Sequence, residues 1–315
     1  MSLLGGLPTR ATVYEVGPRD GLQNEPVTVA TPDKLRLITA LVDAGLERIE
    51  VSSFVAARWI PQLADAEAIV GALKKSHPTL RLSALVPNLR GLERALGAGI
   101  DEVCVFLSVT ESHSKKNINK SVAEAIATAR EVADAAHKAN KTVRAYVSTV
   151  WGCPFEGVVP LERVVAVVKQ ISDLGFSELS LGDTIGVGTP RQTEAILSAV
   201  SKLVPKEKVA LHLHDTRGTA LANALVGLSM GYTTFDASVG GLGGCPYAPG
   251  AAGNLATEDL VYMLEGLGVS TGIDLPRLVA AGALAQELIG RKLSGKYLQA
   301  ALGEREKKSA ARGET

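Results

Sequence analysis

Eight short β-branched runs, each followed by a longer amphipathic or alanine-rich stretch, predict an α/β chain folded as a (β/α)8, or TIM, barrel. Two further observations agree. Proline recurs at the starts of the helical stretches, where its missing N–H is not needed. The 315 residues are 46% hydrophobic but only 4% aromatic, so the core is built from Ala, Val, Leu and Ile. That length suits one barrel as well as two smaller domains.

The strand candidates fall at residues 12–16, 48–52, 81–86, 102–107, 142–149, 178–181, 209–214 and 233–238. Helices are expected to begin near Pro32, Pro61, Leu89, Ser121, Pro160, Pro190 and Thr216. A helix at 255–264 follows the eighth strand, and another spans about 276–289. A doubly wound open sheet is the competing architecture. The first run, however, ends in Gly17-Pro18-Arg19-Asp20-Gly21, which is no GxGxxG phosphate-binding turn. Residues 1–303 are therefore read as one catalytic barrel with extra C-terminal helices from about 270. The charged tail 304–315 lacks apolar spacing and is expected to be disordered.

Thirty-three basic residues balance thirty-three acidic ones, so no global field favours nucleic acid or an anionic membrane. No apolar run approaches the roughly 18 residues of a membrane span. The first ten residues have neither the charged start nor the apolar stretch of a signal peptide. Three scattered cysteines without CxxC spacing fit a reducing compartment. The expected location is the cytoplasm, or the mitochondrial matrix if a presequence has been removed.

Barrels of this class carry their chemistry at the C-terminal ends of the strands. Arg19 and Asp20 end the first run, Glu50 lies near the end of the second, Asp183 ends the sixth, and His212 and His214 end the seventh. His212 and His214 are two apart on a strand, so both imidazoles face one way and Leu213 the other. Such a pair either shares a metal ion or is hydrogen-bonded within the barrel. Asp20 adds a carboxylate oxygen and Asn254 an amide oxygen. Two nitrogens with oxygens and no thiolate suit Mg²⁺ or Mn²⁺, and zinc stays open. Arg19 reads either as a salt-bridge partner of Glu50 or Asp183, or as a clamp on a developing oxyanion. Asp183 is ambiguous between capping the barrel rim and supporting the metal ligands.

The stretch from Asp236 to Asp259 packs six glycines around Cys245. Glycine permits backbone conformations and close approaches that other residues forbid. The stretch is expected to form a wall or lid over the site, with Asn254 and Glu258 at its far end. Cys104, between valines, reads as an inert buried thiol, and Cys153 as a weaker rival to Cys245.

Three motifs together are similar to the 3-hydroxy-3-methylglutaryl-CoA lyase family: Val16-Gly17-Pro18-Arg19-Asp20-Gly21-Leu22-Gln23-Asn24-Glu25, the His-Leu-His-Asp run, and the cysteine loop through Asp259. The similarity runs from about Thr12 to about Lys296. The resemblance implies Asp20, His212, His214 and Asn254 as ligands of a divalent metal. It implies Arg19 as the group stabilising an acetyl-thioester enolate, Glu50 as its orienter, and Asp183 and Glu258 as supports nearby. Cys245 would move a proton on the loop, and Lys292 and Gln23 would lie near the CoA thioester. Asp20 or His212 would act as base, with a water on the ion as the remaining option. A homodimer and a small-molecule acyl-CoA substrate are implied as well. Gly240 stands where the family often has Ala. Residues 297–315 hold no cysteine, which removes the thiol regulation of animal members.

The implied reaction is retro-Claisen cleavage to acetyl-CoA and acetoacetate. A lyase for a longer 3-hydroxy-3-alkylglutaryl-CoA and a synthase joining acetyl-CoA to an α-keto acid are the alternatives. A non-enzymatic scaffold ranks lower, because the full set of candidate ligands is present.

Overall fold

Strand β1 (Thr12–Glu15) pairs in parallel with both β2 (Arg48–Ser53) and β8 (Thr234–Ala237), and this closes the sheet. Between them run β3 (Arg81–Leu85), β4 (Glu102–Ser108), β5 (Thr142–Ser148), β6 (Glu178–Asp183) and β7 (Val209–Leu213), in the order of the chain. The computed structural model describes residues 5–243 and 253–312. The expected barrel is what the chain forms, and all eight strand candidates are barrel strands.

The helices are α1 (Thr31–Asp43), α2 (Ala66–Ser76), α3 (Leu89–Ala98), α4 (Glu111–Ile118), α5 (Val122–Lys138), α6 (Leu161–Ile171), α7 (Pro190–Val200), α8 (Ala220–Ser229), α9 (Thr257–Gly266), α10 (Leu275–Ile289) and α11 (Lys296–Arg312). Local chemistry sets their starts. Ser121 and Glu124 form a reciprocal capping box on α5, and Thr189 and Gln192 form one on α7. Pro61 opens a short 3₁₀ turn, and α2 starts only at Ala66. Helix α8 likewise starts at Ala220, beyond the expected Thr216. Helix α4 and a small hairpin at Gly152–Cys153 and Gly157–Val158 escaped the sequence reading.

Residues 304–312 of the tail expected to be disordered are instead helical, because α11 continues to Arg312. Its start is held from a distance: the Asp259 carboxylate accepts from the backbone N–H of Lys296 (3.0 Å) and Tyr297 (2.6 Å). Leu298 is fully buried. The charged stretch that suggested disorder forms the exposed face, where Glu304 and Lys308 stand four apart. Helix α10 packs along α1, and α11 against α9 and α10. Among the described residues, no helix is long and apolar enough to cross a membrane.

Each strand sends alternate residues to two environments. Ile49, Val51, Leu82, Ala84, Val103, Val105, Val143, Val147, Leu179, Leu211 and Phe235 belong to the apolar layer shared with the helices. The residues between them point into the barrel and include Arg48, Glu50, Glu102, Arg144, Glu178 and Asp236.

Candidate active site at the barrel mouth

Arg19 and Asp20 do not end a strand, as the sequence suggested. They sit on one wide helical turn, Gly17–Gly21, that follows β1 directly. The Val16 carbonyl accepts from the backbone N–H of Arg19 (3.1 Å) and Asp20 (2.7 Å). Wide turns of this kind often occur at functional sites, because they re-aim neighbouring side chains. The Arg19 Nε donates to Glu50 Oε2 at 2.6 Å and its Nη1 to Asp20 Oδ1 at 2.5 Å. The guanidinium lies 5.1 Å from the centre of the Tyr146 ring, whose hydroxyl donates to the same Glu50 oxygen at 2.8 Å. Of the two expected salt-bridge partners, Arg19 pairs with Glu50 and not with Asp183. Burial opposes the Arg19 charge, but Glu50 and Asp20 outweigh it and hold the guanidinium protonated.

His212 ends the inward row of β7. His214, just beyond it, bridges to Asn254 through the backbone. That bridge places Asn254, whose Nδ2 donates to Asp20 Oδ2 at 2.9 Å. Gly243, at φ +101°, lies so close that a Cβ there would stand 2.9 Å from the Asn254 amide nitrogen. Ligand atoms of Asp20, His212 and His214 all lie within 4.8 Å of one another. The two Nε2 atoms are 3.3 Å apart, and Asp20 Oδ2 is 3.8 Å from His212 Nε2. Neighbouring ligands at right angles on an ion with bonds of about 2.1 Å stand about 3.0 Å apart, so this carboxylate and imidazole set fits a divalent cation. Burial works against the Asp20 charge, yet Arg19 and the two histidines keep its carboxyl well below the usual range. Burial, then His212, brings His214 down to about 4, so its imidazole is neutral at pH 7.

A group that the sequence reading missed stands behind His212. The His212 Nδ1 is 3.1 Å from Asp236 Oδ2. Asp236 accepts from Ser180 Oγ at 2.7 Å and from Arg144 Nη2 at 2.5 Å. Arg144 also donates through Nε to Glu178 Oε1 at 2.6 Å, and Arg48 Nη1 reaches the other Glu178 oxygen at 2.9 Å. Both guanidinium groups also lie over the Tyr14 ring, Arg144 at 4.0 Å and Arg48 at 4.8 Å from its centre. The signal was in the sequence: charged residues at alternate positions of runs that are otherwise core-like.

Other candidates lie elsewhere. Asp183 is buried and accepts from the N–H of Val187 (3.0 Å) and Gly188 (2.8 Å), so it shapes the loop after β6. Glu258 accepts from Gly240 N–H at 2.7 Å below the turn after β8, and burial pushes it up to about 8. Lys292 is exposed, and Gln23 is half-buried with its side-chain carbonyl oxygen buried and unpartnered. Cys245 lies outside the described residues. Cys104 is buried beside the Tyr14 hydroxyl at 3.3 Å, as its flanking valines suggested. Cys153 is buried too, accepting from Thr110 Oγ1 at 3.1 Å.

A family model described as HMGL-like matches residues 10–285. The chain belongs to this family. A hydroxymethylglutaryl-CoA lyase of Bacillus subtilis, YngG, is 51% identical over 292 residues, which cover 93% of this chain and 97% of that relative. The human mitochondrial hydroxymethylglutaryl-CoA lyase is 50% identical, covering 95% of this chain and 92% of its own. The crystal structure of hydroxymethylglutaryl-CoA lyase from Pseudomonas aeruginosa matches with a TM-score of 0.92 at 44% identity, over 95% of this chain and 99% of that one. The barrel closure and strand order described above are therefore those of an HMGL-like protein.

Proposed function

We propose that the protein cleaves 3-hydroxy-3-methylglutaryl-CoA to acetyl-CoA and acetoacetate. The observation that carries this reading is the junction at the mouth of an HMGL-like barrel: a charged, oriented arginine directly beside a carboxylate and two imidazoles with metal-ligand spacing. Asp20, His212, His214 and Asn254 would hold a divalent cation, for which we propose Mg²⁺ or Mn²⁺. Bound there, the ion supplies Lewis acidity toward the substrate's C3 hydroxyl and neighbouring carboxylate or carbonyl oxygens.

The remaining chemistry belongs to the chain. The C3 hydroxyl proton passes to Asp20, since His212 turns one ring nitrogen to Asp236 and the other to the ion site; the C2–C3 bond breaks, and C3 becomes the ketone of acetoacetate. The electron pair moves to C2 and spreads onto the thioester oxygen. Arg19, fixed by Glu50 and Tyr146, offers donors to that oxyanion without having to reorient. Cys245 then delivers the proton to C2 that completes acetyl-CoA. Lys292 and Gln23 would approach the CoA portion, and Asp183 and Glu258 hold the surrounding loops. The same reading includes residues 1–303 acting as one catalytic unit, and a cytoplasmic homodimer.

The test is to incubate pure protein with Mg²⁺ and the substrate and follow acetyl-CoA and acetoacetate by mass spectrometry. A longer 3-hydroxy-3-alkyl analogue runs in parallel. Release of both products supports the reading, absence of both refutes it, and a faster reaction with the longer analogue reassigns the acyl chain. Sedimentation of the same sample tests the dimer.

A further inference from the structure

We propose that Asp236 is a positioning residue that fixes the tautomer of His212, and that Arg144 locks Asp236 in that role. The inference rests on His212 being a metal ligand, as read above, and concerns how its lone pair comes to face the ion.

Asp236 is fully enclosed, on β8 at the register position directly opposite His212 of β7. Its Oδ1 receives Arg144 Nη2 at 2.5 Å, and its Oδ2 receives Ser180 Oγ at 2.7 Å. Arginine has no acceptor atom and keeps its proton in proteins. A carboxylate held in this way only accepts, so the His212 Nδ1 facing it at 3.1 Å must carry the hydrogen. In the neutral ring the lone pair then lies on Nε2, the atom 3.3 Å from His214 Nε2 and 3.8 Å from Asp20 Oδ2. The other tautomer would aim an N–H into the space where the ligand atoms converge and block it. A carboxylate behind a metal-bound histidine is a general device for orienting the ring. Here the orientation is enforced from β5, two strands away, because Arg144 is itself held between Asp236 and Glu178.

Asp236→Asn separates this role from packing. The amide has nearly the same shape, but its oxygen and its NH₂ are no longer equivalent. Arg144 demands the oxygen at the Oδ1 position, which turns the NH₂ toward Ser180 and His212. The His212 Nδ1 must then accept, and the proton moves to Nε2. The expected result is a loss of about 10–100-fold in Mn²⁺ affinity, read by calorimetry or electron paramagnetic resonance on the full chain. A folded Asp236→Asn protein, checked by circular dichroism, that binds Mn²⁺ as tightly as wild type would overturn the proposal.

A second measurement needs no variant. In ¹⁵N-histidine NMR of the metal-free wild-type chain, at a pH where His212 is neutral, Nδ1 should be the protonated nitrogen and Nε2 the bare one. The opposite assignment overturns the proposal even if the variant fails to fold. If the wild type takes up no Mn²⁺, the metal reading fails, and the tautomer measurement still decides the role of Asp236.

Discussion

Strand β5 carries Val143, Ala145 and Val147 on one side and Arg144 and Tyr146 on the other, and nearly every barrel strand repeats the contrast. The outer layer, between strands and helices, is apolar and mostly aliphatic. The interior holds a linked column of charge from Arg48 and Glu178 through Arg144 and Asp236 to His212, with Arg19 and Glu50 beside it. Barrel interiors of this class are more often filled by Val, Ile and Leu. Burying charge is costly unless each group is paired, so such a column is weak evidence of a stability device. What it provides is direction, since each ion pair fixes the orientation of the next. The helix-facing layer supplies cohesion and the lumen supplies aim.

This division can be broken experimentally. The largest effect is expected from chelation: dialysis against EDTA should abolish turnover, and Mg²⁺ or Mn²⁺ should restore it. Full activity after verified metal removal would separate the lumen from the chemistry. Next comes Arg144→Met, which leaves Glu178 without one partner and Asp236 without its cation. Urea unfolding should show a loss of about 3–5 kcal/mol, since a buried pair has been broken by removing one member. Arg19→Gln should lower kcat by about 10²–10³, the usual penalty for losing a donor to an oxyanion, with Mn²⁺ binding largely retained.

A smaller effect concerns pH. Burial raises the folded pKa of Glu258 to about 8, above the ordinary 4.5. The folded state therefore binds more protons than the unfolded one across that window. The stabilising contribution is complete below about pH 4.5 and is lost as pH rises through about 8. Thermal melts of Glu258→Gln should accordingly vary less between pH 5 and pH 9 than those of wild type, and equal slopes would refute this. The mildest change is Ile49→Val in the helix-facing layer. It should cost about 0.5–1.5 kcal/mol in stability and leave kcat and metal affinity unchanged. A loss of metal affinity there would show that the two sides of the strands are not separable.

Much of this was legible in the sequence, for identifiable reasons. The eight strands were readable because β-branched runs are short and evenly interleaved with helices. That Arg19, Asp20, Glu50, His212 and His214 gather at the barrel mouth was readable because this fold brings the segments just after its strands together there, and the stretch after the eighth strand adds Asn254. Asp236 and Arg144 were passed over because each lies inside a run whose apolar neighbours dominate the pattern, although alternation assigns both to the lumen. Helix α11 was missed because its N-terminal cap, Asp259, is supplied from 37 residues upstream rather than by its own flank. No spacing rule distinguishes a residue that braces a loop, as Asp183 and Glu258 do, from one that supports a ligand.

The hydrogen bond from Asn254 to Asp20 joins residues 234 positions apart in the chain. This has a consequence for how the molecule is made. During synthesis, Asp20 emerges well before its partner, which leaves the ribosome only after the eighth strand. Ring closure between β1 and β8 must come before the site is complete, so tight ion capture should mark the last event of folding. A stopped-flow refolding trace read through metal uptake should therefore lag the trace read through backbone circular dichroism.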